Sequence, residues 1–494
     1  METIDRAAAE FLRGGPLKMF LGGEWRSSSD GAITDVSYPA TGEVVGSVAE
    51  ATPADVEIAV KSAKEAFVDE RWSGLRPDER AAGLLALASL VDRDREIMAV
   101  LETLHTGKPI RESRGDIARG LDGIRFYAAS ARNLRGETIP VSNDFHSYTI
   151  REPVGIVACI VPWNVPFVLM VSKAAPALAG GNSVVVKPAT ATPFTALYLA
   201  KLWEEAGLPA GIFNVLTGAG SRVGEALCLH PDVAGITLTG STEVGLHLGS
   251  QAALANKRTM LELGGKSPDI VFNDADLERA IAGAGAAIFY GQGEICSAGS
   301  RLIVQTDVHD VVVDGVRAYA EALKVGDPLD PETQMGSLIS EAHLQRILKT
   351  VRDAVADGAK IVTGGDRAVV PAMPRGAFMA PTVLDGVSPS ALIAQEEVFG
   401  PVLVVHSFTD TDEAVALANG TQYGLSAGIW SRNGALAKRV ARRLHSGVVW
   451  INDYNQFNPA MPFGGVGVSG TSHREWSHLA VDAFMEYKSI WERI

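Results

Sequence analysis

Between residues 151 and 263, short apolar runs alternate with helix-like segments, and this alternation constrains the fold more than any other feature of the chain. The runs are rich in Val and Ile, which is typical of strands buried on both faces of a sheet. Helices between such strands form βαβ units, whose strands run in parallel. The predicted strands span residues 154–161, 183–187, 212–216, 235–238 and 259–263, and the predicted helices span 165–179, 193–206, 222–229 and 242–253.

A second α/β unit is predicted after Gly265, where the alternation continues less regularly. Its predicted strands span 269–272, 302–305, 402–406 and 448–451, and its predicted helices span 276–290, 342–357 and 411–418. Near the N-terminus, apolar residues recur at helical spacing over 58–68, 76–91 and 116–133. The pattern therefore predicts an α/β protein with two sheet-based units.

The charge balance and the cysteine count narrow the class of protein. With 44 basic and 58 acidic residues, the chain has a net charge of −14, which disfavours nucleic acid and anionic membranes as partners. Three cysteines are too few for a secreted disulfide framework. The N-terminus lacks a signal-peptide pattern, and the apolar run at 154–161 is too short to cross a bilayer. We therefore expect a cytoplasmic protein with no nucleic-acid, membrane or metal partner.

Two glycine-rich turns are candidates for a phosphate site. The segment 218–224 follows a predicted strand and resembles a dinucleotide fingerprint, with one residue too many before its last Gly. The segment 240–245 also joins a strand to a helix, and its Ser and Thr can cap that helix. Either segment alone could be an ordinary tight turn. Both within one parallel sheet favour a nucleotide cofactor, because such sheets bind ligands at the carboxyl ends of their strands.

Cys296 lies in a loop of small residues, 291–301, and Glu262 ends a predicted strand. A thiol nucleophile and a carboxylate base are the groups that covalent catalysis through a thioester requires. An inert buried residue is the commoner fate of a single cysteine. Asn164 follows the first strand and could stabilise an oxyanion or cap a turn. Lys187 ends the next strand, where it could bind a ribose or be solvated.

Taken together and in this order, the segments resemble the aldehyde dehydrogenase superfamily, of the NAD(P)+-dependent, hydrolytic type. The similarity runs from about Pro39 to the C-terminus. The matching segments are Pro162-Trp163-Asn164, Lys187-Pro188, Gly240-Ser241-Thr242-Glu243-Val244-Gly245, Glu262-Leu263-Gly264-Gly265-Lys266, Gln292-Gly293 through Cys296, Glu396-Glu397-Val398-Phe399-Gly400-Pro401, Trp450-Ile451-Asn452 and Pro462-Phe463-Gly464-Gly465.

The resemblance implies NAD(P)+-dependent oxidation of an aldehyde to a carboxylic acid. Cys296 would attack the carbonyl, and Asn164 would stabilise the oxyanion. After hydride transfer to the nicotinamide, Glu262 would activate the water that hydrolyses the thioester, with Lys173 and Glu475 as a proton relay. A relative that passes the thioester to coenzyme A would not need Glu262. A catalytically silent relative would not need Cys296, Glu262 or Asn164.

The resemblance also assigns cofactor contacts. Thr190 stands where strictly NAD-selective relatives often carry a Glu that binds the ribose hydroxyls, so we expect NADP+ to be tolerated or preferred. The residues implied to bind NAD or NADP are Val161, Pro162, Trp163, Lys187, Thr190, Gly220, Gly240, Ser241, Gly245, Leu263, Glu397 and Phe399.

The residues expected to line the substrate tunnel differ from those of some relatives. Ser172 replaces a Trp found in some relatives, which predicts a wider tunnel, and the aromatic residues favour a flat or aromatic aldehyde. Arg119 disfavours betaine aldehyde and suits an anionic semialdehyde, although it could also be a solvated helix residue. The expected lining is Arg119, Val165, Leu169, Ser172, Tyr290, Ile295, Asn455, Phe457 and Phe463.

The family resemblance also implies the division of the chain. We expect a Rossmann-like cofactor domain at 1–134 and 151–262, and an α/β catalytic domain at 263–470. A small β oligomerisation element is expected at 135–150 and 471–494. Its strands, near 135–150 and 483–490, are expected to pair across a homodimer, commonly within a homotetramer.

Overall fold

Two seven-stranded sheets organise the chain. The computed structural model describes residues 2–471 and 473–494. Met1, which begins the predicted cofactor domain, and Ser472, which belongs to the predicted oligomerisation element, lie outside the described residues. The strands are β1 Met19–Leu21, β2 Glu24–Arg26, β3 Ile33–Tyr38, β4 Glu43–Ala49, β5 Phe145–Pro153, β6 Ile156–Ile160, β7 Ser183–Lys187, β8 Phe213–Val215, β9 Val233–Thr239, β10 Arg258–Glu262, β11 Pro268–Val271, β12 Arg301–Gln305, β13 Lys360–Thr363, β14 Thr382–Asp385, β15 Val402–Phe408, β16 Ser426–Trp430, β17 Val448–Ile451 and β18 Met485–Arg493.

Helices cover both sheets. They are α1 Glu2–Leu12, α2 Pro53–Val68, α3 Pro77–Arg93, α4 Arg95–Thr106, α5 Ile110–Ala131, α6 Pro166–Gly180, α7 Phe194–Glu205, α8 Glu225–Leu229, α9 Thr242–Leu254, α10 Leu277–Phe289, α11 His309–Ala322, α12 Glu341–Ala356, α13 Leu392–Gln395, α14 Thr411–Ala418, α15 Gly434–Ala441 and α16 Ser477–Ala483. Within the described ranges, every helix is too short or too polar to cross a bilayer.

The first sheet contains the five strands that the alternating pattern predicts. They run in parallel in the order β10-β9-β6-β7-β8, and the hairpin β1–β2 extends the sheet antiparallel to β8. The predicted strand 154–161 is shorter in the structure, because Gly155 has a φ of 122° and turns the chain between β5 and β6. The order places the carboxyl ends of β6, β9 and β10 side by side.

The second sheet has the order β13-β14-β15-β12-β11-β16-β17, with every pair parallel except β13–β14. Two sheets with helices packed on them confirm the predicted α/β class. The pattern missed the strands β13, β14 and β16 and the helices α1, α4, α11, α13, α15 and α16. Strand β16 is rich in small residues, and its Gly428 has no space for a Cβ, which would lie 2.2 Å from an Asp269 oxygen.

The two segments expected to pair across a dimer also pair with each other. Strand β5 runs antiparallel to β18 over its whole length, from Phe145 opposite Arg493 to Pro153 opposite Met485, within one chain. Pairing of these segments across a dimer stays a prediction. The outer edge of β5 bonds the preceding segment, with Ile139 donating to the Ser147 carbonyl oxygen at 2.9 Å, whereas most of β18 is exposed.

Helix α6 positions the functional residues that follow. Almost every residue of α6 is buried, including Lys173, and the helix packs against α5. A helix that is apolar on all sides belongs in a protein core. It ends at Gly181, whose φ of 97° provides the left-handed cap that stops the helix. The core of the first sheet therefore holds α6 rigidly beside the carboxyl ends of β6 and β9.

Candidate active site

The carboxyl edge of the first sheet brings together the polar groups that the sequence indicates. Asn164 follows β6, Thr239 ends β9, and Glu262 ends β10. Parallel strands end on the same edge, so these side chains converge although 98 residues separate the first from the last by number. Cys296 faces them from the loop between α10 and β12.

The loop that carries Cys296 has an unusual backbone. Gly291, Gln292 and Gly293 have φ values of 58°, 56° and 69°, a left-handed run that only glycine adopts freely. A Cβ on Gly293 would lie 2.2 Å from the Gly400 carbonyl oxygen. Glycine is therefore required where this loop passes the 396–401 segment, and that passage places Cys296 beside Glu397.

The Cys296 thiol is partly accessible and lies among acidic groups. Burial first, and then the charges of Glu397, Glu262 and Glu475, raise the pKa of Cys296 to about 12. Each carboxylate opposes ionisation of the thiol, so a positive charge in the same cavity is needed to favour the thiolate. The other two cysteines, Cys159 and Cys228, are fully buried.

Asn164 is buried, and its Nδ2 donates a hydrogen bond to the Glu294 carbonyl oxygen at 2.8 Å. The bond ties the end of β6 to the Cys296 loop. An amide nitrogen carries two hydrogens, so one can hold this loop while the other serves a ligand. The Asn164 side chain lines the same cavity as Cys296.

Glu262 is a buried carboxylate with an unusual lack of partners. Its side chain is 3% exposed, and neither oxygen has a hydrogen-bond partner among the described residues. The backbone N–H of Gly465 approaches the carboxylate without completing a hydrogen bond. Burial, and then the charge of Glu475, raise the pKa of Glu262 well above its usual value, against the opposing effect of Lys173. A carboxylate in this state accepts a proton readily.

Glycine is required beside Glu262 as well. A Cβ on Gly464 would lie 2.3 Å from a Glu262 carboxylate oxygen, and the φ of Gly464 is 150°. Phe463, which precedes Gly464, pairs with Glu475: the Phe463 N–H donates a hydrogen bond of 2.8 Å to the Glu475 carbonyl oxygen. This segment closes the site on the side of β10.

Behind Glu262 lies a fully buried ionic cluster. Lys173 forms an ion pair with Glu475, and its Nζ also donates to the Thr239 hydroxyl at 2.6 Å. The Ser172 hydroxyl is 2.8 Å from the second carboxylate oxygen of Glu475. Buried charges persist in proteins when they are paired and hydrogen-bonded in this way.

One cavity, of about 260 Å³, lies between Cys296 and the first sheet. Seven of the predicted cofactor residues line it, together with Asn164 and Cys296. The sequence analysis missed four lining residues, although Thr239 lies near a predicted strand end and Gly264 and Val398 lie within two of the matching segments. The predicted lining residues are Pro162, Trp163, Gly240, Ser241, Leu263, Glu397 and Phe399, and the missed ones are Thr239, Gly264, Arg346 and Val398.

The cavity has features that fit a dinucleotide. Ser241 caps α9, its hydroxyl accepting from the Val244 N–H at 3.4 Å, so free N–H groups point toward the cavity. A Cβ on Gly245 would lie 2.0 Å from Leu263, so glycine is needed for α9 to pack this closely. Opposite, Glu397 accepts a hydrogen bond from the Gly265 N–H at 3.0 Å.

The remaining predicted cofactor residues lie outside this cavity. Lys187 is buried, and its Nζ donates to the Pro188 carbonyl oxygen at 2.9 Å; burial lowers the pKa of Lys187 to about 8. Thr190 donates to the Gly218 carbonyl oxygen at 3.3 Å. Gly220 is exposed, and Val161 is buried under β7. They follow β6, β7 and β8 along the same sheet edge.

A second cavity, of about 310 Å³, opens on the other side of the Cys296 loop. Arg119 dominates its polar character: Nη1 donates to the Tyr290 hydroxyl at 2.9 Å and to Asp116 at 3.1 Å. The predicted residues that line it are Arg119, Val165, Tyr290, Ile295, Asn455, Phe457 and Phe463, and the sequence analysis missed Asp116, Val168, Ala286, Ala287, Ser297, Trp450, Tyr454 and Gln456.

Two predicted tunnel residues do not line this cavity. Leu169 packs against the core of the first sheet. Ser172 lies two turns along α6 from Val165 and on the same face, but it is fully buried, and its hydroxyl bonds the Glu475 carboxylate. The prediction that Ser172 widens the tunnel was therefore wrong.

Comparison with known proteins gives the family. A sequence model of the aldehyde dehydrogenase family matches residues 25–490. The betaine aldehyde dehydrogenase of Cereibacter sphaeroides is 43% identical over 486 residues, 98% of this chain and 97% of that protein. The NAD+ complex of an aldehyde dehydrogenase from Bacillus cereus has a TM-score of 0.96 at 41% identity and covers 98% of both chains. HpcC from Thermus thermophilus has a TM-score of 0.96 at 42% identity, over 100% of this chain and 96% of that one.

The fold, the thiol-carboxylate site and a cavity that fits a dinucleotide define an oxidoreductase of the α/β type. The chain belongs to the aldehyde dehydrogenase family. It is an NAD(P)+-dependent aldehyde dehydrogenase, as the resemblance in its motifs implies.

Proposed function

We propose that the enzyme oxidises its aldehyde through a thioester on Cys296, which is hydrolysed by water that Glu262 activates. One observation carries the proposal. Glu262 is a buried carboxylate without a hydrogen-bond partner among the described residues, and its charge acts on Cys296. A purely structural carboxylate would be paired, since an unpaired buried charge is costly. An unpaired base with a raised pKa is suited to taking a proton from water near neutral pH.

The residues of the chain account for each step. NAD(P)+, when bound, supplies the hydride acceptor and a positive charge in the cavity that Cys296 lines. The Cys296 thiolate attacks the aldehyde carbon, and the Asn164 amide stabilises the oxyanion. Loss of hydride from the thiohemiacetal leaves a thioester on Cys296. Glu262 takes a proton from water as the water attacks; the C–S bond then breaks, and Cys296 leaves as the thiolate.

Two other functions are possible for such a fold. A coenzyme A-acylating enzyme would release the thioester to a thiol, and would not need the base Glu262. A catalytically silent relative would not need Cys296 or Asn164, yet both line the cavity. Turnover without coenzyme A excludes the acylating enzyme, and turnover of any aldehyde excludes the silent relative.

The test uses cysteine variants. Aldehyde-dependent NAD(P)H formation is measured for wild type, Cys296→Ala and Cys228→Ala. The last is a matched control, because Cys228 is a fully buried thiol outside the site. We expect loss of turnover in Cys296→Ala alone. Turnover that survives this substitution, or a strict requirement for coenzyme A, refutes the proposal.

We also propose that NADP+ is accepted. Thr190 stands on the adenosine side of the site and carries no charge to repel a 2′-phosphate. We expect Thr190→Glu to lower kcat/KM for NADP+ at least tenfold relative to NAD+, because a carboxylate repels a phosphate. An overwhelming preference of the wild type for NAD+ contradicts this part of the proposal.

The substrate is proposed to be an aldehyde with an anionic or aromatic tail. The relative from C. sphaeroides is named for betaine aldehyde, a cation, but Arg119 lines the corresponding cavity here. Lys108 bonds Asp116 at 2.6 Å, so two cations face one carboxylate. Burial raises the pKa of the adjacent Glu112 to about 8, which keeps it largely protonated at pH 7. Lys108 also faces the charge of the buried Glu102, so Arg119 is the cation of this group that lines the cavity and favours an anion.

The substrate class is tested with aldehydes of matched length whose far end is a carboxylate, a methyl or a trimethylammonium group. We expect the carboxylate to give the highest kcat/KM, and Arg119→Gln to remove its advantage. Arg125→Gln is the control, because Arg125 lies on the same helix and pairs with Asp92 at 2.9 Å. A preference for the cation in the wild type contradicts this proposal.

Assembly and compartment complete the proposal. We propose a homodimer or homotetramer that uses the β5–β18 ribbon, since Tyr487 and Trp491 on β18 are more than 60% exposed. Segments 135–150 and 471–494 would form this oligomerisation element, 1–134 and 151–262 the cofactor domain, and 263–470 the catalytic domain. Three free thiols suit a cytoplasmic setting. Light scattering tests the assembly, and Trp491→Arg should shift it toward the monomer.

A further inference from the structure

We infer that Ser172 is a positioning residue for thioester hydrolysis, because its hydroxyl holds the Glu475 carboxylate ready to take up the proton that Glu262 collects. The inference rests on the proposed hydrolytic function. It assigns a role in proton transfer to a residue that neither touches the aldehyde nor lines either cavity of the site.

The contacts of Glu475 divide between its two oxygens. Oε1 accepts from Lys173, whose Nζ is in turn bonded to Thr239. Oε2 accepts from Ser172 at 2.8 Å. The carboxylate is 1% exposed and held from both sides, so its plane is fixed. The neighbouring residues Ser172 and Lys173 on α6 thus act together on one acid.

The Ser172 hydroxyl has a second acceptor within reach, the Leu169 carbonyl oxygen at 3.0 Å. A hydroxyl has one proton to donate and two lone pairs to accept with. When Glu475 is ionised, Ser172 donates to it. When Glu475 holds a proton on Oε2, it can donate to Ser172, whose hydroxyl then turns to Leu169. Rotation of one O–H bond therefore satisfies both protonation states without moving a heavy atom.

Apolar groups would satisfy neither state. The site is closed to water, because Ser172 is 0% exposed. A proton that reaches Glu475 must therefore be stabilised by protein groups, and a buried polar atom left without a partner is costly. Ser172 removes that cost in both states, which makes Glu475 a reversible proton acceptor.

Both protons of the attacking water are accounted for in the hydrolysis step. Water attacks the thioester carbon, one of its protons passes to Glu262, and the other stays on the carboxylic acid product. The C–S bond breaks, and its electrons stay on Cys296 as the thiolate. Glu262 must then lose its proton before the next cycle. Burial, and then the charge of Glu475, raise the pKa of Glu262, and by this inference Glu475 accepts that proton.

Other titratable groups face Glu475 and set the conditions of the test. They come from α5, α6, β6, β10 and the Cys296 loop, and one is the neighbouring residue in sequence. They are Tyr127, Lys173, Cys159, Glu262, Cys296 and Arg474. Lys173 alone contacts the carboxylate directly, and it does so through Oε1. Substitution of Ser172 leaves all six in place, so a shift in the pH profile reports on the Oε2 contact.

The experiment compares Ser172→Ala with wild type in pre-steady-state and steady-state assays. We expect the initial burst of NADH to keep its rate, because hydride transfer precedes the relay. We expect kcat to fall about tenfold and its acidic limb to move up by about one pH unit, the size that loss of a hydrogen bond to a charged group produces. The direction follows because loss of a hydrogen-bond donor disfavours the charged form of a carboxylate.

Two further variants separate hydrogen bonding from packing. Ser172→Cys has nearly the same size but is a weak donor, and we expect it to behave like Ser172→Ala. Ser172→Thr keeps the hydroxyl, and we expect it to restore the acidic limb. Ser183→Ala is the matched control, since Ser183 is fully buried on β7 and its hydroxyl has no partner among the described residues. We expect it to match the wild type.

Three outcomes overturn the inference. They are an unshifted acidic limb in Ser172→Ala, wild-type behaviour of Ser172→Cys, and loss of the burst in parallel with kcat. Failure of the proposed function has a different signature, because Glu262→Gln would then turn over at the wild-type rate or the enzyme would require coenzyme A. The two failures are therefore distinguishable.

Discussion

Replacement of Glu262 by Gln perturbs one step of the proposed cycle. Gln has the same shape and cannot take a proton from water, while Cys296 and Asn164 stay in place. Loss of a general base lowers a rate by about 10²–10⁴-fold, equivalent to ~3–5 kcal/mol in the barrier. Because neither Glu262 oxygen has a hydrogen-bond partner among the described residues, removal of its charge breaks no bond, and the fold is expected to be retained.

The assay is rapid mixing of enzyme, NAD+ and aldehyde. Glu262→Gln should release one equivalent of NADH per active site at the wild-type rate and then nearly stop. Hydroxylamine, a nucleophile that needs no base, should restore product release. Glu397→Gln is the control: Glu397 is a buried carboxylate beside Cys296, but it bonds the Gly265 N–H and lines the cofactor cavity. It should slow the burst itself. A wild-type kcat in Glu262→Gln, or no burst, refutes the reasoning.

Further predictions concern pH, the cofactor turn and stability. Since Glu262 acts only when ionised and its pKa is raised, kcat should fall as pH drops through a value well above 4.5, and Glu262→Gln should lose this limb. Gly245→Ala should raise the Kd of NAD+ at least tenfold in a fluorescence titration, because its Cβ would overlap Leu263 at 2.0 Å. Burial lowers the pKa of Lys266 to about 7, below its unfolded value of 10.5, so its cost to stability is largest below pH 7 and disappears as pH rises through the unfolded pKa. Lys266→Met should therefore raise the free energy of unfolding by about 1 kcal/mol at pH 6 and by less at pH 10, as measured in urea.

The first sheet was predictable because its strands are continuous apolar runs in the sequence. Runs such as 183–187 are continuous Val-rich segments, and they match β7 at both ends. Strand β16 was missed because Ser, Ala and Gly give no apolar signal, and it is defined only by its packing against neighbours such as Tyr454. Short strands of small residues are specified by the tertiary structure rather than by their own sequence.

The residues of the site also divide into those that the sequence predicts and those that only the fold brings together. Strand ends at Asn164 and Glu262 were predictable, since parallel strands share one ligand edge. The surroundings of Arg119 were predictable only in part. Asp116 lies three residues before it on α5, a spacing that the sequence shows, but Lys108 and Tyr290 join this pair only in the folded chain. The charge of Arg119 is what favours an anionic substrate.

Ser172 shows where the family resemblance does not extend to the surroundings of a residue. The resemblance places Ser172 in the tunnel, because some relatives carry a Trp at this position. In the structure Ser172 is fully buried, and its hydroxyl donates to the Glu475 carboxylate. This contact joins residues 303 positions apart, and nothing in the periodicity of α6 reveals it.

The central claim is that Cys296 carries the acyl group which Glu262 helps to release. Intact-protein mass spectrometry of Glu262→Gln, quenched with acid after mixing with NAD+ and aldehyde, measures this adduct directly. The account predicts a mass increase equal to one acyl group, located on the peptide that contains Cys296 and absent in the Cys296→Ala double variant. An unmodified protein after a full burst of NADH, or an adduct on another residue, would contradict it.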